Sequence, residues 1–328
     1  MVSKIRWGII GTGNIAKKFA TGLQVCDDAE LIAVGSRKQM TGDAFGEAFN
    51  VPRRHPSYEA LANDPDVDVV YISTPHSLHH DNTILCLEAG KHVLCEKPFA
   101  INVRQGDEMI RVAREKKLFL MDAVWSRFQP AHMKLRELVG EGAIGEVRMV
   151  HSDFGFRTGG VDPKQRLFNP ELGGGALLDV GVYNVQLASM LFGPPTQVKA
   201  LAHLGETGVD EQAAVILAHK DGRLAVSSTA IRTKTMHEAI VYGTKGWITI
   251  DPPWWRTNGL TLTVHGKDPE HIDATMTGNG YNYEAEEVMA CIRAGKLESD
   301  IMPLDETLSI LRTLDAIRAQ WGLKYPME

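Results

Sequence analysis

In the first third of the chain, short apolar runs alternate with stretches whose apolar positions recur every three or four residues. Runs at 5–10, 30–35, 67–73, 92–95 and 118–121 predict strands, and the stretches 15–23, 58–63, 82–88 and 103–117 predict helices. The apolar face of the first helix is Ala16, Phe19, Ala20 and Leu23, the i, i+3, i+4, i+7 spacing of one helix side. Gly90 stands where a helix C-cap would fall. Regular strand–helix alternation implies a parallel sheet covered on both faces, an α/β arrangement.

After Asp122 the pattern changes. A helix is predicted at 131–139, a glycine-rich turn and helix over 173–191, and strands at 146–156, 197–204, 212–219, 223–231, 237–242, 246–250 and 260–264. The turn sequences Lys220-Asp221-Gly222 and Gly243-Thr244-Lys245 suit antiparallel connections. Helices at 283–294 and 304–321 close the chain. The expected organisation is a nucleotide-binding parallel-sheet domain over 1–121, followed over 122–328 by an α+β domain with a large, mostly antiparallel open sheet that holds substrate and joins subunits.

A length of 328 residues fits two domains, and 44% apolar with 23% charged residues is a globular composition. The net charge of -6, without a block of like charge, argues against a nucleic-acid partner. Cys26, Cys86, Cys95 and Cys291 show no CxxC spacing and read as buried thiols of a reducing compartment. Gly11 comes too early for a secretory leader, and no stretch reads as long and apolar enough to cross a bilayer, so a cytoplasmic protein without a membrane contact is expected. No ligand set has metal-site spacing.

The turn Gly11-Thr12-Gly13-Asn14-Ile15-Ala16 lies between the first strand and the first helix. Gly11 permits a tight turn, Gly13 lets the backbone approach a diphosphate, and Ala16 keeps helix and strand close, with the helix N-terminus facing the anion. Strand before, helix after and second strand at the right distance make this a dinucleotide site. Where an NAD site usually places Asp or Glu for the ribose 2'-hydroxyl, this chain has Ser36-Arg37-Lys38. A guanidinium there favours a 2'-phosphate, so NADP is expected, with NAD use left open.

In a doubly wound sheet, ligands bind beyond the carboxyl ends of the strands. Thr74-Pro75-His76 and Glu96-Lys97-Pro98 fall at such ends, and a cis Lys97-Pro98 bond would aim the ammonium into the cleft. Asp179 and Tyr183, four apart after a glycine turn, share a helix face. On these residues alone, a capping carboxylate and a core tyrosine explain the pair equally well.

At these positions the chain resembles the glucose-fructose oxidoreductase / inositol dehydrogenase / MocA family over essentially its whole length. The resemblance is carried by Gly11 to Ala16, Thr74-Pro75 with His79, the run Ala89-Gly90-Lys91-His92-Val93-Leu94-Cys95-Glu96-Lys97-Pro98, and Asp179 to Tyr183. Within the family, residues 121–128 and 178–192 look like the NADP-linked dimeric dihydrodiol dehydrogenase branch, which includes D-xylose dehydrogenases.

The resemblance implies a Rossmann domain and hydride transfer between nicotinamide and a hydroxyl or carbonyl carbon of a sugar, polyol or dihydrodiol. It makes Lys97 the catalytic lysine and Asp179 a substrate-orienting group, and puts Tyr183 where relatives often have His. An ordinary tyrosine titrates near pH 10, so as general acid/base Tyr183 needs a cation, the part assigned to Lys97. The cofactor lining implied is Gly11, Gly13, Asn14, Ile15, Ser36, Arg37, Lys38, Thr74, Pro75, His76, His79, Glu96, Lys97, Trp125 and Arg127. Trp125, Phe128, Phe154, Arg157 and Trp254 are candidates for the substrate wall beside Lys97, Asp179 and Tyr183. A homo-oligomer through the second domain's sheet is also expected. Two rival readings stand beside this one: a non-catalytic NADP-sensing regulator, and an enzyme that retains its cofactor for elimination or glycoside cleavage.

Overall fold

The computed structural model describes residues 3–328, which cluster into two compact units. The first contains the residues up to Ala100, Arg104–Trp125 and Thr277–Thr307, and the second Ile101–Val103, Ser126–Met276 and Leu308–Glu328. Compared with a single cut at 121/122, residues 122–125 and, most distantly in sequence, the segment Thr277–Thr307 cluster with the first unit, and Ile101–Val103 with the second. Tyr281 explains the placement of Thr277–Thr307, since its ring stacks on Trp125 with centroids 4.4 Å apart and its Cβ lies where a side chain on Gly22 would go.

The first unit's sheet has strands β1 (Ile5–Ile10), β2 (Ala29–Gly35), β3 (Arg53–His55), β4 (Val69–Ile72), β5 (His92–Glu96) and β6 (Leu120–Ala123). They run parallel in the order β3-β2-β1-β4-β5-β6, the doubly wound dinucleotide-binding order. Helices α1 (Asn14–Leu23), α2 (Gln39–Phe49), α3 (Tyr58–Ala62), α4 (His79–Glu88) and α5 (Val103–Lys116) connect them. Helix α1 is anchored through Phe19, which is fully buried, stacks on Tyr71 at 3.7 Å and tilts against Trp7 at 5.2 Å. Burying such a ring contributes about 1.5–3 kcal/mol and fixes where the N-terminus of α1 points.

The second unit is built on an eight-stranded sheet of β7 (Val147–Gly155), β8 (Gln197–Leu204), β9 (Asp210–Ala218), β10 (Leu224–Ala230), β11 (Ala239–Gly243), β12 (Gly246–Ile250), β13 (Gly259–Val264) and β14 (Glu270–Asp273). Its order is β14-β13-β12-β11-β7-β10-β9-β8, and every pair is antiparallel except β7 with β10. Side chains alternate as the pleat requires: on β9, Ala213, Val215 and Leu217 are buried while Ile216 is 48% exposed. Helices α6 (Pro130–Gly140) and α7 (Val182–Phe192) belong to this unit, and α8 (Asn282–Arg293) and α9 (Leu304–Ala319) complete the chain.

Three elements were not legible in the pattern. Helix α2 holds two glycines and starts at Lys38 without a side-chain cap, while β3 and β14 are short edge strands of mostly polar residues. Of the glycine turn and helix expected over 173–191, the helical part opens with a π-helical turn, Leu177–Gly181, running into α7. The expectation that no stretch is apolar enough to cross a bilayer also needs correcting. Pro170–Phe192 has the required length and composition, and 89% of its most apolar stretch is buried inside the structure. All four cysteines are free and buried, and burial pushes the thiols of Cys26, Cys86 and Cys291 up to about 12.

Candidate active site

The carboxyl ends of β1, β2 and β4 enclose a crevice of 540 Å³ lined by Gly11, Thr12, Gly13, Ser36, Arg37, Lys38, Thr41, Tyr58, Ser73, Thr74 and Pro75. The two glycines serve different purposes. Gly11 has φ +101, and a β-carbon there would meet Ser73 Oγ at 2.9 Å. Gly13 has nothing within 4 Å of that position, so its missing side chain makes room beside the backbone rather than relieving a protein contact. Gly13 is also the N-cap of α1 and offers no side-chain acceptor, leaving the first helical N–H groups to an external anion. These features fit the diphosphate of a dinucleotide.

The turn after β2 is tied together by its own hydroxyls: Ser36 Oγ is 2.7 Å from Thr41 Oγ1, and Thr41 Oγ1 donates to Lys38 O at 2.9 Å. Arg37 and Lys38 are exposed, and neither has an ion-pair partner among the described residues. Two cations therefore border the crevice with no carboxylate lining it.

Beyond β4 and β5, His79 joins two loops. Its Nε2 is 2.9 Å from Thr74 O and its Nδ1 is 2.8 Å from Pro98 O. His79 is 1% exposed, so it braces the lining instead of touching a ligand, and His76 packs against its edge at 5.7 Å. The Lys97-Pro98 bond is cis. From Val93 to Asn102 every residue is buried except Lys97, so the lysine alone leaves the interior there. Its neighbour Glu96 accepts a hydrogen bond from the Tyr71 hydroxyl inside the unit. Burial and the Glu96 and Asp122 carboxylates push the acid of Glu284 well above the usual range.

In the second unit, Asp179 lies on the π-helical turn and Tyr183 in the first turn of α7. Widened turns of this kind occur frequently at functional sites. Asp179 is not a cap: it pairs with Arg166 at 2.8 Å. Tyr183 packs on Phe154 at 5.5 Å, and Phe154 stacks on Trp255, with His237 edge-on to both rings. Arg157 is exposed and bridges to Arg232 through the backbone.

Besides His79, three expected wall or cofactor residues are placed otherwise. Trp254 is 0% exposed and its Nε1 donates to Asp153 O at 2.8 Å, so it is core, and the half-buried Trp255 takes its place beside Phe154. Arg127 is 1% exposed, with Nε donating to Gln186 Oε1 at 2.8 Å and Nη2 to Gln186 O at 2.9 Å, which makes it a buried strut instead of a cofactor ligand. Phe128 is likewise buried. Thr41, Tyr58 and Ser73 in the crevice, and Arg166, His237 and Trp255 in the second unit, lie outside the motif reading, since none belongs to a spaced pattern; Thr12 lines the crevice from within the glycine turn.

Residues 5–123 match the model of an oxidoreductase family with an NAD-binding Rossmann fold, and residues 132–249 match the GFO/IDH/MocA C-terminal domain. The trans-1,2-dihydrobenzene-1,2-diol dehydrogenase of Xenopus laevis is 39% identical over 332 residues, covering 98% of this chain and 99% of the relative. The human enzyme of that name is 35% identical over 333 residues, with 99% of each covered. Among solved structures, the aldose-aldose oxidoreductase of Caulobacter crescentus, complexed with glycerol, superimposes with TM-score 0.88 at 31% identity over 98% of both chains. A 3-ketoreductase of Actinomadura kijaniata bound to NADP and TDP-benzene gives TM-score 0.87 at 25% identity, covering 97% of this chain and 98% of that one. With both domain models matched, relatives spanning its whole length and a crevice shaped for a diphosphate, the chain belongs to the GFO/IDH/MocA family of dinucleotide-binding oxidoreductases.

Proposed function

We propose that this oxidoreductase prefers NADP(H) and interconverts a CH–OH group and a carbonyl on a sugar, polyol or dihydrodiol. The carrying observation is the Arg37–Lys38 pair, exposed beside the crevice without an acidic partner where a 2'-phosphate would lie. The backbone from Gly11 to Ile15 would hold the diphosphate, and Ser36, Arg37 and Lys38 the 2'-phosphate. The bound cofactor supplies or accepts the hydride. Lys97 donates a hydrogen bond to the substrate oxygen and Tyr183 gives or takes its proton. Asp179, held by Arg166, orients a neighbouring hydroxyl, with Phe154, Trp255 and Arg157 as the wall. The relatives' dihydrodiol and aldose chemistry supports the substrate class. An initial-rate screen of NADP reduction over pentoses, hexoses and dihydrodiols, and of NADPH oxidation over dicarbonyls, tests the reading, and activity with none of them contradicts it.

The outer face of the eight-stranded sheet is proposed as a subunit interface, because it exposes Leu201 (81%) and Ile216 (48%) on adjacent strands. A monomeric mass by light scattering contradicts this. The cytoplasm is the proposed compartment, on the strength of the four free, buried thiols.

A further inference from the structure

The helical segment that carries Asp179 and Tyr183 begins without a cap of its own. Its N-cap is Ala176, which has no side-chain acceptor. The acceptor comes from β9. Asp210 is 0% exposed, and its Oδ2 accepts from the backbone N–H of Leu177 at 2.6 Å.

The glycine turn before the helix is shaped around this carboxylate. Gly175 has φ +116, and a β-carbon on it would stand 2.2 Å from Asp210 Oδ1 and 3.3 Å from the Tyr325 hydroxyl. The Tyr325 hydroxyl donates to Gly174 O at 2.6 Å, and Gly175 N donates to Leu167 O at 2.9 Å, closing the turn on either side. Thus the glycines that the sequence places before the helix leave space for an acid that follows much later in the chain.

We propose that Asp210 is a positioning residue for the redox reaction: by holding the first N–H of the π-helical turn, it fixes the direction in which Tyr183 and Asp179 are presented. The inference rests on the proposed role of Tyr183. A buried carboxylate is stabilised mainly by donors aimed at it, so the cap and the helix end fix each other. Burial pushes the acid of Asp210 up to about 7, opposed by the N–H groups of Leu177, Asp210 itself and Ala176. The other ionisable groups near it are Arg318 and Tyr325. Arg318 is engaged by Asp315 and Glu328, and the phenol of Tyr325 is held well above its usual range, so neither titrates near neutrality. The ionised cap, which holds the N–H more strongly, forms as pH rises through about 7.

The test uses D210A, D210N and Y183F in the full chain, with NADPH binding, thermal midpoint and kcat against pH measured on each. Asn keeps an acceptor for the Leu177 N–H, whereas Ala removes it. D210A should bind NADPH like wild type while kcat falls on the order of a hundredfold, the scale of a small misplacement of a reacting group. D210N should keep most of the activity and lose the acid limb of kcat near pH 7. Should D210A not fold, the D210N pH profile decides: a limb unchanged from wild type overturns the proposal. It is also overturned if D210A folds with wild-type kcat. If Y183F retains full turnover, the Tyr183 assignment itself fails. If Y183F is inactive while both Asp210 variants behave as wild type, only the present inference fails.

Discussion

Ser73 stands where a side chain on Gly11 would have to go, its Oγ 2.9 Å and its carbonyl oxygen 3.0 Å from that position, whereas the corresponding space at Gly13 is open. The two glycines of one motif should therefore fail differently. Gly11→Ala meets both a steric contact and a left-handed backbone, at a cost on the order of 1–3 kcal/mol. It should lower the thermal midpoint and the affinity for NADPH together. Gly13→Val should leave the midpoint near wild type while weakening NADPH roughly tenfold or more, about 1.4 kcal/mol. Calorimetry on the free proteins and fluorescence titration with NADPH separate the two; parallel behaviour of both variants would mean the open space is not the diphosphate's.

Arg37 is the residue proposed to carry the cofactor preference. Loss of one charge-assisted contact is worth about 1.5–3 kcal/mol, so Arg37→Ala should raise the KM for NADP roughly tenfold to a hundredfold. The KM for NAD should change little. Equal effects on both cofactors would place the 2'-phosphate elsewhere.

Adjacent tryptophans should behave oppositely. Trp254 is fully buried and hydrogen-bonded to Asp153 O, so Trp254→Ala should destabilise the protein by about 3–5 kcal/mol. Trp255 is partly exposed and stacked on Phe154, so Trp255→Ala should act mainly on the KM of the sugar or diol and spare the urea midpoint. Urea unfolding and steady-state kinetics on the pair check this.

Acid should weaken the fold through His132. Burial pulls its imidazole down to about 3, and both ring nitrogens lack hydrogen-bond partners. Above pH 6.5 the ring is neutral in both folded and unfolded chains, and the group is silent. Between about 6.5 and 3 only the unfolded chain takes up the proton, so stability falls with decreasing pH, by at most about 1.4 kcal/mol per pH unit from this one group. Urea midpoints measured through that window should fall less steeply in His132→Phe than in wild type; identical slopes would remove His132 as a cause.

Most strands and the nucleotide turn could be read from the sequence because each is local: apolar runs mark β1, β4 and β5, and Gly11, Gly13 and Ala16 sit at fixed offsets from them. What could not be read depends on contacts between distant residues. Trp254 and Trp255 are indistinguishable as letters, and only the placement of Asp153 and Phe154 makes one core and leaves the other half-buried against Phe154. Arg127 looks like a ligand-binding cation until Gln186 is brought to it. Arg166 gains meaning only by reaching Asp179, and Asp210 only by reaching Leu177. The polar edge strand β3 carries no apolar periodicity at all.

In the proposed NADP-linked redox chemistry, Lys97 and Tyr183 handle the substrate oxygen and its proton. The most direct measurement is turnover of wild type, Lys97→Met and Tyr183→Phe on an accepted substrate, with NADPH affinity determined on the same samples. Both variants should bind NADPH nearly as wild type does and lose turnover by about 10²–10⁴-fold, the usual contribution of a positioned proton-transfer group. Wild-type turnover in either variant would contradict these roles.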